Sequence, residues 1–378
     1  MKKILIITGR YLPGYKDGGP VRTIKNLTDL LGKEYDIRVM CKDRDHGDLE
    51  AYSGITVNSY NKVGNAKVYY VKEGKFKFKN ILNEVKKVDV VYCCGPYDSY
   101  AIKVTILKRL GIVKKPLVIA SMGTFSSGAL KLKSYKKRLF FFIMKIFGLF
   151  RNVIWSVTSK VEENELKSII GNSANCIIAE DLPRNIKVEH RHKKNKNELK
   201  IIFLSRICEM KNLLFAIQIL KEVNKKLIFD VYGNIEDPVY WKKCENELKN
   251  SLIEWHYMGE CDSEKVPETF AEYDVFLFPT LGENFGHVIS EALLGGCLPI
   301  ISDNTPWIDL ERNNCGRVIS ISDEAEYIKA INFYYSMGDL EFKQCSIDAQ
   351  TYICEKNINS IKHTGYLEIF DYEANNND

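Results

Sequence analysis

The stretch PTLGENFGHVISEALLGGCLPIISD, Pro279 to Asp303, constrains the fold more than any other part of the chain. DVFLFP, Asp274 to Pro279, is short, apolar and rich in β-formers, so it reads as a buried strand. A loop containing Gly282, Glu283, Asn284 and Gly286 follows. Val288, Ile289, Ala292 and Leu293 then recur at helical spacing, Gly295-Gly296 ends the helix, and CLPIIS returns as a strand. This is one β-loop-α-β unit with an acidic loop after its first strand. Open α/β sheets bind ligands at the carboxyl ends of their strands, so that loop is the candidate site.

Its residue types define a chemistry. Glu283 precedes a helix N-terminus, where backbone N–H groups lack partners. A carboxylate there can accept hydrogen bonds from sugar hydroxyls, while the N–H groups of Asn284, Phe285 and Gly286 donate to a ligand. Glycine at 286 lets a ligand approach the backbone. His287 and Glu291 are four apart and share a helix face. That face is not the apolar one, so Glu291 is expected to be open to the ligand. A bare pair of glutamates at this spacing would also fit a helix cap and a solvated carboxylate. The glycines and the flanking strands favour a site.

At 378 residues the chain suits two domains better than one. It opens with a strand (Lys2 to Thr8), a glycine-rich loop (Gly9 to Pro20) and a helical pattern over Val21 to Lys33, with Pro20 at its start. Gly18-Gly19 at a helix N-terminus is a general anion-binding arrangement, although it also fits a plain glycine turn and is not G-x-G-x-x-G. Strands at Tyr35 to Cys41, Lys115 to Gly123 and Val153 to Ser159 alternate with helices at Ser99 to Gly111 and Lys160 to Gly171, which predicts a parallel sheet. Residues 187 to 200 are polar, charged and without apolar periodicity, and read as a linker. A second series begins with the strand Leu199 to Ser205. Arg206 and Lys211 then flank a helix N-terminus at a strand end, where two cations beside free amides suit a diphosphate, or else are solvated surface charges. Gly233 marks the open end of the next strand, and Ser263 to Asp274 reads as a helix.

Two glutamates separated by seven residues, with G-E-N-F-G-H ahead of S-E-A-L-L-G-G, resemble the retaining glycosyltransferases of family 4. The resemblance implies an α/β chain of the GT-B fold, two Rossmann-like domains facing a central cleft. The expected domains are 1–186, on the acceptor side, and 199–354, on the nucleotide-sugar side, with a last helix near 355–372 packing back on the first. The resemblance assigns Glu283 to the donor sugar, Glu291 to the donor ribose, and Arg206 and Lys211 to the diphosphate. Asn284, Phe285, Gly286 and His287 would border the sugar or diphosphate, Gly233 the same pocket, and Tyr257 to Cys261 the base. Gly18 and Gly19 would border the donor phosphates. The implied reaction moves a sugar from a nucleotide-sugar, most commonly a UDP-sugar, to a glycan or lipid-linked acceptor in bacterial surface polysaccharide assembly. Glu283, Arg206 and Lys211 would be the catalytic residues, without a metal or cofactor. Relatives carry histidine or arginine before the glycine that here is Gly123; this chain has Met122. Ser121, Gly123 and Thr124 remain as acceptor contacts. A nucleotide-sugar epimerase on the same fold and a non-catalytic nucleotide-sugar-binding subunit are the alternatives.

Net charge is +5, enough to favour anionic substrates or a membrane surface and too little to argue for nucleic acid. Eleven scattered cysteines without a CxxC pair read as reduced thiols in a cytoplasmic protein. His190 and His192 lack the carboxylates that a metal site would add. No leader or membrane span is expected. Residues 131 to 151 combine seven Lys or Arg with a dense apolar block, suited to the face of an anionic membrane or to a helix packed on its own domain.

Overall fold

The computed structural model describes residues 1–125, 134–184, 186, 188, 189, 194, 195 and 197–373. They form two units, Met1–Pro183 with Ser360–Asp378, and Arg184–Asn359. The chain changes unit at Pro183, slightly before the expected boundary at 186, and returns at Ser360. His190 and His192 lie outside the described residues.

The first unit runs β1 (Lys3–Ile7), α1 (Gly19–Leu31), β2 (Asp36–Lys42), β3 (Tyr60–Val63), β4 (Ala66–Val71), α2 (Phe78–Val85), β5 (Val90–Cys94), α3 (Ser99–Arg109), β6 (Leu117–Ala120), α4 (Ser134–Ile146), β7 (Ile154–Val157), α5 (Lys160–Ile170) and β8 (Asn175–Ile178). Its sheet has the order β3-β4-β2-β1-β5-β6-β7-β8. All pairs are parallel except β3 with β4, a hairpin that closes one edge. Parallel strands covered on both faces need apolar side chains on both, and Ile4, Leu5, Ile6 and Ile7 are all fully buried. Strand order reverses at β1, which lies between β2 and β5, so the glycine-rich loop leaves the sheet at a switch point.

The second unit runs β9 (Leu199–Leu204), α6 (Leu213–Glu222), β10 (Leu227–Tyr232), α7 (Pro238–Lys249), β11 (Glu254–Gly259), α8 (Val266–Phe270), β12 (Val275–Phe278), α9 (His287–Leu294), β13 (Leu298–Ser302), β14 (Arg317–Ile319), α10 (Glu324–Ser336) and α11 (Asp339–Lys362). Its sheet is parallel throughout, in the order β11-β10-β9-β12-β13-β14. The switch point is β9, between β10 and β12. The helix expected over Ser263 to Asp274 is only the five-residue α8. Pro267 sits in its first turn, where a missing N–H costs nothing, and the preceding residues form a turn on Asp262. Asp274 lies outside the helix; its buried carboxylate accepts from the N–H of Lys200 at 2.8 Å and fixes the start of β9.

The return to the first unit is made by the end of α11 and by α12 (Gly365–Asp371), two helices where one near 355–372 was expected. Thr364 caps α12, accepting from the N–H of Tyr366. Tyr366 and Phe370 are buried in the first unit's core, and the hydroxyl of Tyr35 donates to Asp371 at 2.9 Å. All eleven cysteines are free thiols. Among the described residues no helix is long and apolar enough to cross a membrane.

Candidate functional site

In the second unit the predicted residues gather beyond the adjacent strands β9 and β12. After β9 a single 3₁₀ turn, Glu209–Lys211, leads to Asn212, which is left-handed (φ 58°) and starts α6. After β12 the loop 279–286 leads into α9. Hydrogen bonds tie turn to loop: Leu281 N–H donates to Met210 O (2.9 Å), the Thr280 hydroxyl to the same carbonyl (3.1 Å), and the Asn212 amide to Pro279 O (3.0 Å). Thr280 is fully buried and is the hub of this contact.

The result is an ion pair between Lys211 and Glu283, each side chain 12 % exposed. Glu283 Oε1 also lies 3.3 Å from the Thr280 hydroxyl, and Lys211 Nζ sits 5.7 Å from the centre of the Phe278 ring. The sequence reading treated Lys211 as a cation open to a diphosphate and Glu283 as a carboxylate open to a sugar. The structure joins them, because the tied loops leave each as the other's nearest counter-charge.

Gly286 caps α9 in the left-handed region (φ 79°), where a side chain would be strained. The N–H groups of Phe285 and Gly286 have no protein acceptor among the described residues. The Phe285 carbonyl accepts from the indole N–H of Trp307 at 2.6 Å, and its ring lies 4.7 Å from that of His287. Asn284 is exposed, while His287 is half-buried. Glu291 differs from expectation. It is 4 % exposed, within a run from Ile289 to Leu294 that α9 buries completely. A one-face reading missed this because the helix is covered all round.

Arg206 is about half exposed and pairs with Glu236, a partner that the sequence did not single out. Gly233, after β10, has φ 138°, and a Cβ there would lie 1.7 Å from Ser205 O. Only glycine permits that crossing, which holds Arg206 beside the end of β10. The Gly233 carbonyl accepts from the hydroxyl of Tyr257 at 2.8 Å, and Tyr257 packs against Trp241 with ring centres 4.8 Å apart. Tyr257 to Cys261, expected near the base, thus begins with an aromatic pair at the sheet's edge.

In the first unit Gly18 caps α1 (φ 64°) and Gly19 is its first residue; added Cβ atoms at either would meet nothing within 4 Å. Ser121 is a correction. It is fully buried, and both its N–H and its hydroxyl donate to Ser156 O (3.0 and 3.1 Å). The Gly123 N–H is also engaged, donating to Glu162 Oε1 at 2.7 Å. The other oxygen of Glu162 accepts from Thr158 N–H and hydroxyl (2.7 and 2.8 Å). Thr124 remains half-exposed, and Met122, left-handed at φ 51°, packs its side chain on the core. The signal for Glu162 was present: Ser159-x-x-Glu162 is capping-box spacing, and Ser159 does accept from Glu162 N–H.

The sequence reading also passed over polar residues at the β1 switch point. Arg10 pairs with Asp17 at 2.9 Å, and Asp17 lies 3.1 Å from His46 Nδ1. The buried Nε of Arg10 has no partner among the described residues. The sequence also contains one Asp-x-Asp, Asp43-Arg44-Asp45. Both carboxylates are buried. Asp43 pairs with Arg44, and Asp45 accepts from the N–H groups of Tyr15, Lys16 and His46, so they anchor loops.

The two sheets and the strand-end loops are those of a glycosyltransferase with the GT-B fold. Three solved structures share this fold along nearly the whole chain. HepE of Anabaena, solved with UDP and glucose, superposes with a TM-score of 0.69 at 13 % identity, over 96 % of this chain and 98 % of that one. Sucrose-phosphate synthase of Thermosynechococcus elongatus gives 0.70 at 12 %, over 97 % and 98 %. A UDP-forming α,α-trehalose-phosphate synthase of Burkholderia vietnamiensis gives 0.67 at 9 %, over 100 % and 98 %. Residues 185–346, nearly the whole second unit, match the family model of glycosyl transferases group 1. A 41.2 kDa protein in the cps region of Klebsiella pneumoniae is 24 % identical over 304 residues, 76 % of this chain and 78 % of that protein.

Proposed function

We propose that the protein is a retaining transferase of family 4, which passes a sugar from a nucleotide-sugar, most simply a UDP-sugar, to a glycan or lipid-linked glycan in surface polysaccharide assembly. The Lys211–Glu283 pair carries this reading. A cation and a carboxylate locked together beside two unpaired amides match a donor with a charged diphosphate at one end and hydroxyls at the other. UDP in the HepE complex and the cps setting of the Klebsiella protein support the donor and the pathway class.

Lys211 and Arg206 stabilise the charge that builds on the departing diphosphate, aided by the Phe285 and Gly286 amides. Glu283 orients the sugar through its hydroxyls. The bond from the anomeric carbon to the diphosphate oxygen breaks while the acceptor oxygen bonds to the same face. The acceptor's proton passes to the diphosphate, so no protein nucleophile or base is required. The cations take the part a metal would otherwise play. On the first unit, the acceptor contacts fall to Thr124 and the Arg10–Asp17 pair, since Ser121 is buried. The enzyme works in the cytoplasm.

The test is calorimetry with UDP, GDP and ADP, without added metal, on the wild type and on R206A/K211A. Micromolar binding of one nucleotide, lost in the double variant, is expected. A folded protein that binds none of them refutes the donor site. Binding without turnover on any acceptor favours a non-catalytic subunit, and donor conversion without acceptor favours an epimerase.

A further inference from the structure

From Ser99 to Val161 the sequence contains thirteen Lys or Arg and no Asp or Glu, although the chain as a whole carries only +5. This one-sided stretch includes α3, β6, α4 and β7. The C-terminal part of helix α4, Leu139 to Ile146, is apolar on both faces apart from Lys145. Phe141 and Met144 point into the core and are buried, whereas Leu139, Phe142, Ile143 and Ile146 are exposed. A helix hydrophobic all round is normally buried, so its outer face lacks a covering.

A second segment extends that face. Arg109, at the end of α3, donates through Nε to the carbonyl of Phe147 just beyond α4, at 3.4 Å. The turn after α3 thus lies beside the end of α4. Leu110 in that turn, with Phe142, Ile146 and Phe147, is 61 to 67 % exposed. Beside them is a cleft of about 240 Å³ lined by Lys108, Arg109, Arg151 and Asn152. Among the described residues none of those three cations, nor Lys145, forms an ion pair.

We infer that this surface docks on an anionic lipid bilayer, with Leu110, Phe142, Ile146 and Phe147 entering the headgroup boundary and the Arg109–Arg151 cleft holding lipid phosphates. Exposed apolar side chains framed by unpaired cations suit an interface that is apolar within and negative at its surface. A second copy of the chain would set two like-charged faces against each other, which costs free energy. The surface lies outside the proposed donor site, so it stands or falls independently of the transferase reading.

The test is flotation of the full chain with vesicles of phosphatidylcholine alone, or with about 30 % phosphatidylglycerol to supply anionic lipid. Binding is expected only to the anionic vesicles. F142S/I146S, outward-facing changes checked by an unaltered melting temperature, should lower partitioning at least about tenfold. R109Q and R151Q should each lower it about fivefold, less so in high salt. UDP binding should be unchanged in all three. No anionic preference, or unaltered partitioning of F142S/I146S, overturns the inference. So does a concentration-dependent dimer lost in F142S/I146S without vesicle binding, which would assign the face to a second copy.

Discussion

Replacing Glu283 by glutamine should strengthen UDP binding while lowering turnover, and the reason lies in the pairing of Glu283 with Lys211. The carboxylate neutralises the lysine within the protein itself. An incoming diphosphate must compete for Lys211 and also approach the negative charge of Glu283. Both side chains are 12 % exposed, so water screens the pair only partly. Two unit charges about 4 Å apart at an effective dielectric constant near 20 interact by about 4 kcal/mol, an upper bound on what the competition costs. Retained contact between the glutamine amide and the lysine region, with residual screening, leaves about 1–2 kcal/mol, or roughly 5- to 30-fold tighter UDP. Turnover with the sugar-nucleotide should fall at least about 100-fold, on the scale of one lost transition-state contact. K211A should lower both quantities. Calorimetry of UDP on E283Q and K211A, with initial rates of UDP release, reads all four numbers. If E283Q weakens UDP as K211A does, Glu283 supports the nucleotide itself, and the division between diphosphate cation and sugar carboxylate is wrong.

Three further outcomes are expected. Burial raises the Asp181 carboxyl from 3.8 to about 7. A carboxyl held more protonated in the folded state lends most stability below pH 4 and loses it as pH climbs to 7; D181N should therefore melt a few degrees higher at pH 8 and unchanged at pH 4, by calorimetric scans across that range, and a pH-independent difference would contradict the burial of that acid. G233A places a methyl carbon 1.7 Å from Ser205 O and should destabilise the second unit by about 3 kcal/mol or more, seen as a lower urea midpoint; a wild-type midpoint would refute the crossing geometry. E162A strips the acceptors from Gly123 and Thr158 N–H, and should raise the acceptor KM while leaving UDP affinity alone; an unchanged KM would remove the 121–124 turn from the acceptor side.

The second unit was more legible in the sequence than the first, and the reason is local. Its site depends on short-range grammar: a buried strand, a glycine-bearing loop, a helix start, a strand again. Glu283, Gly286 and Gly233 stand at strand ends because the apolar runs before them end there. What the sequence could not give were the pairings across that grammar. Lys211 and Glu283 are seventy-two residues apart, and their contact is set by Thr280 and Asn212 bridging to Met210 and Pro279. Glu291 was misplaced because helical periodicity reports one covered face, and α9 is covered on every side. Ser121 was misjudged for the complementary reason. A serine at a strand end looks available until the neighbouring strand's Ser156 carbonyl claims both of its donors. The short helix α8 was overextended by a polar, helix-compatible composition that Pro267 overrides at its start. In each case the residue type was read correctly and its availability was not, since availability depends on what the rest of the fold has already bonded to it. The function of this site should therefore be tested by substitutions that release a partner as well as by those that delete one, and Glu283 is where the two give opposite signs.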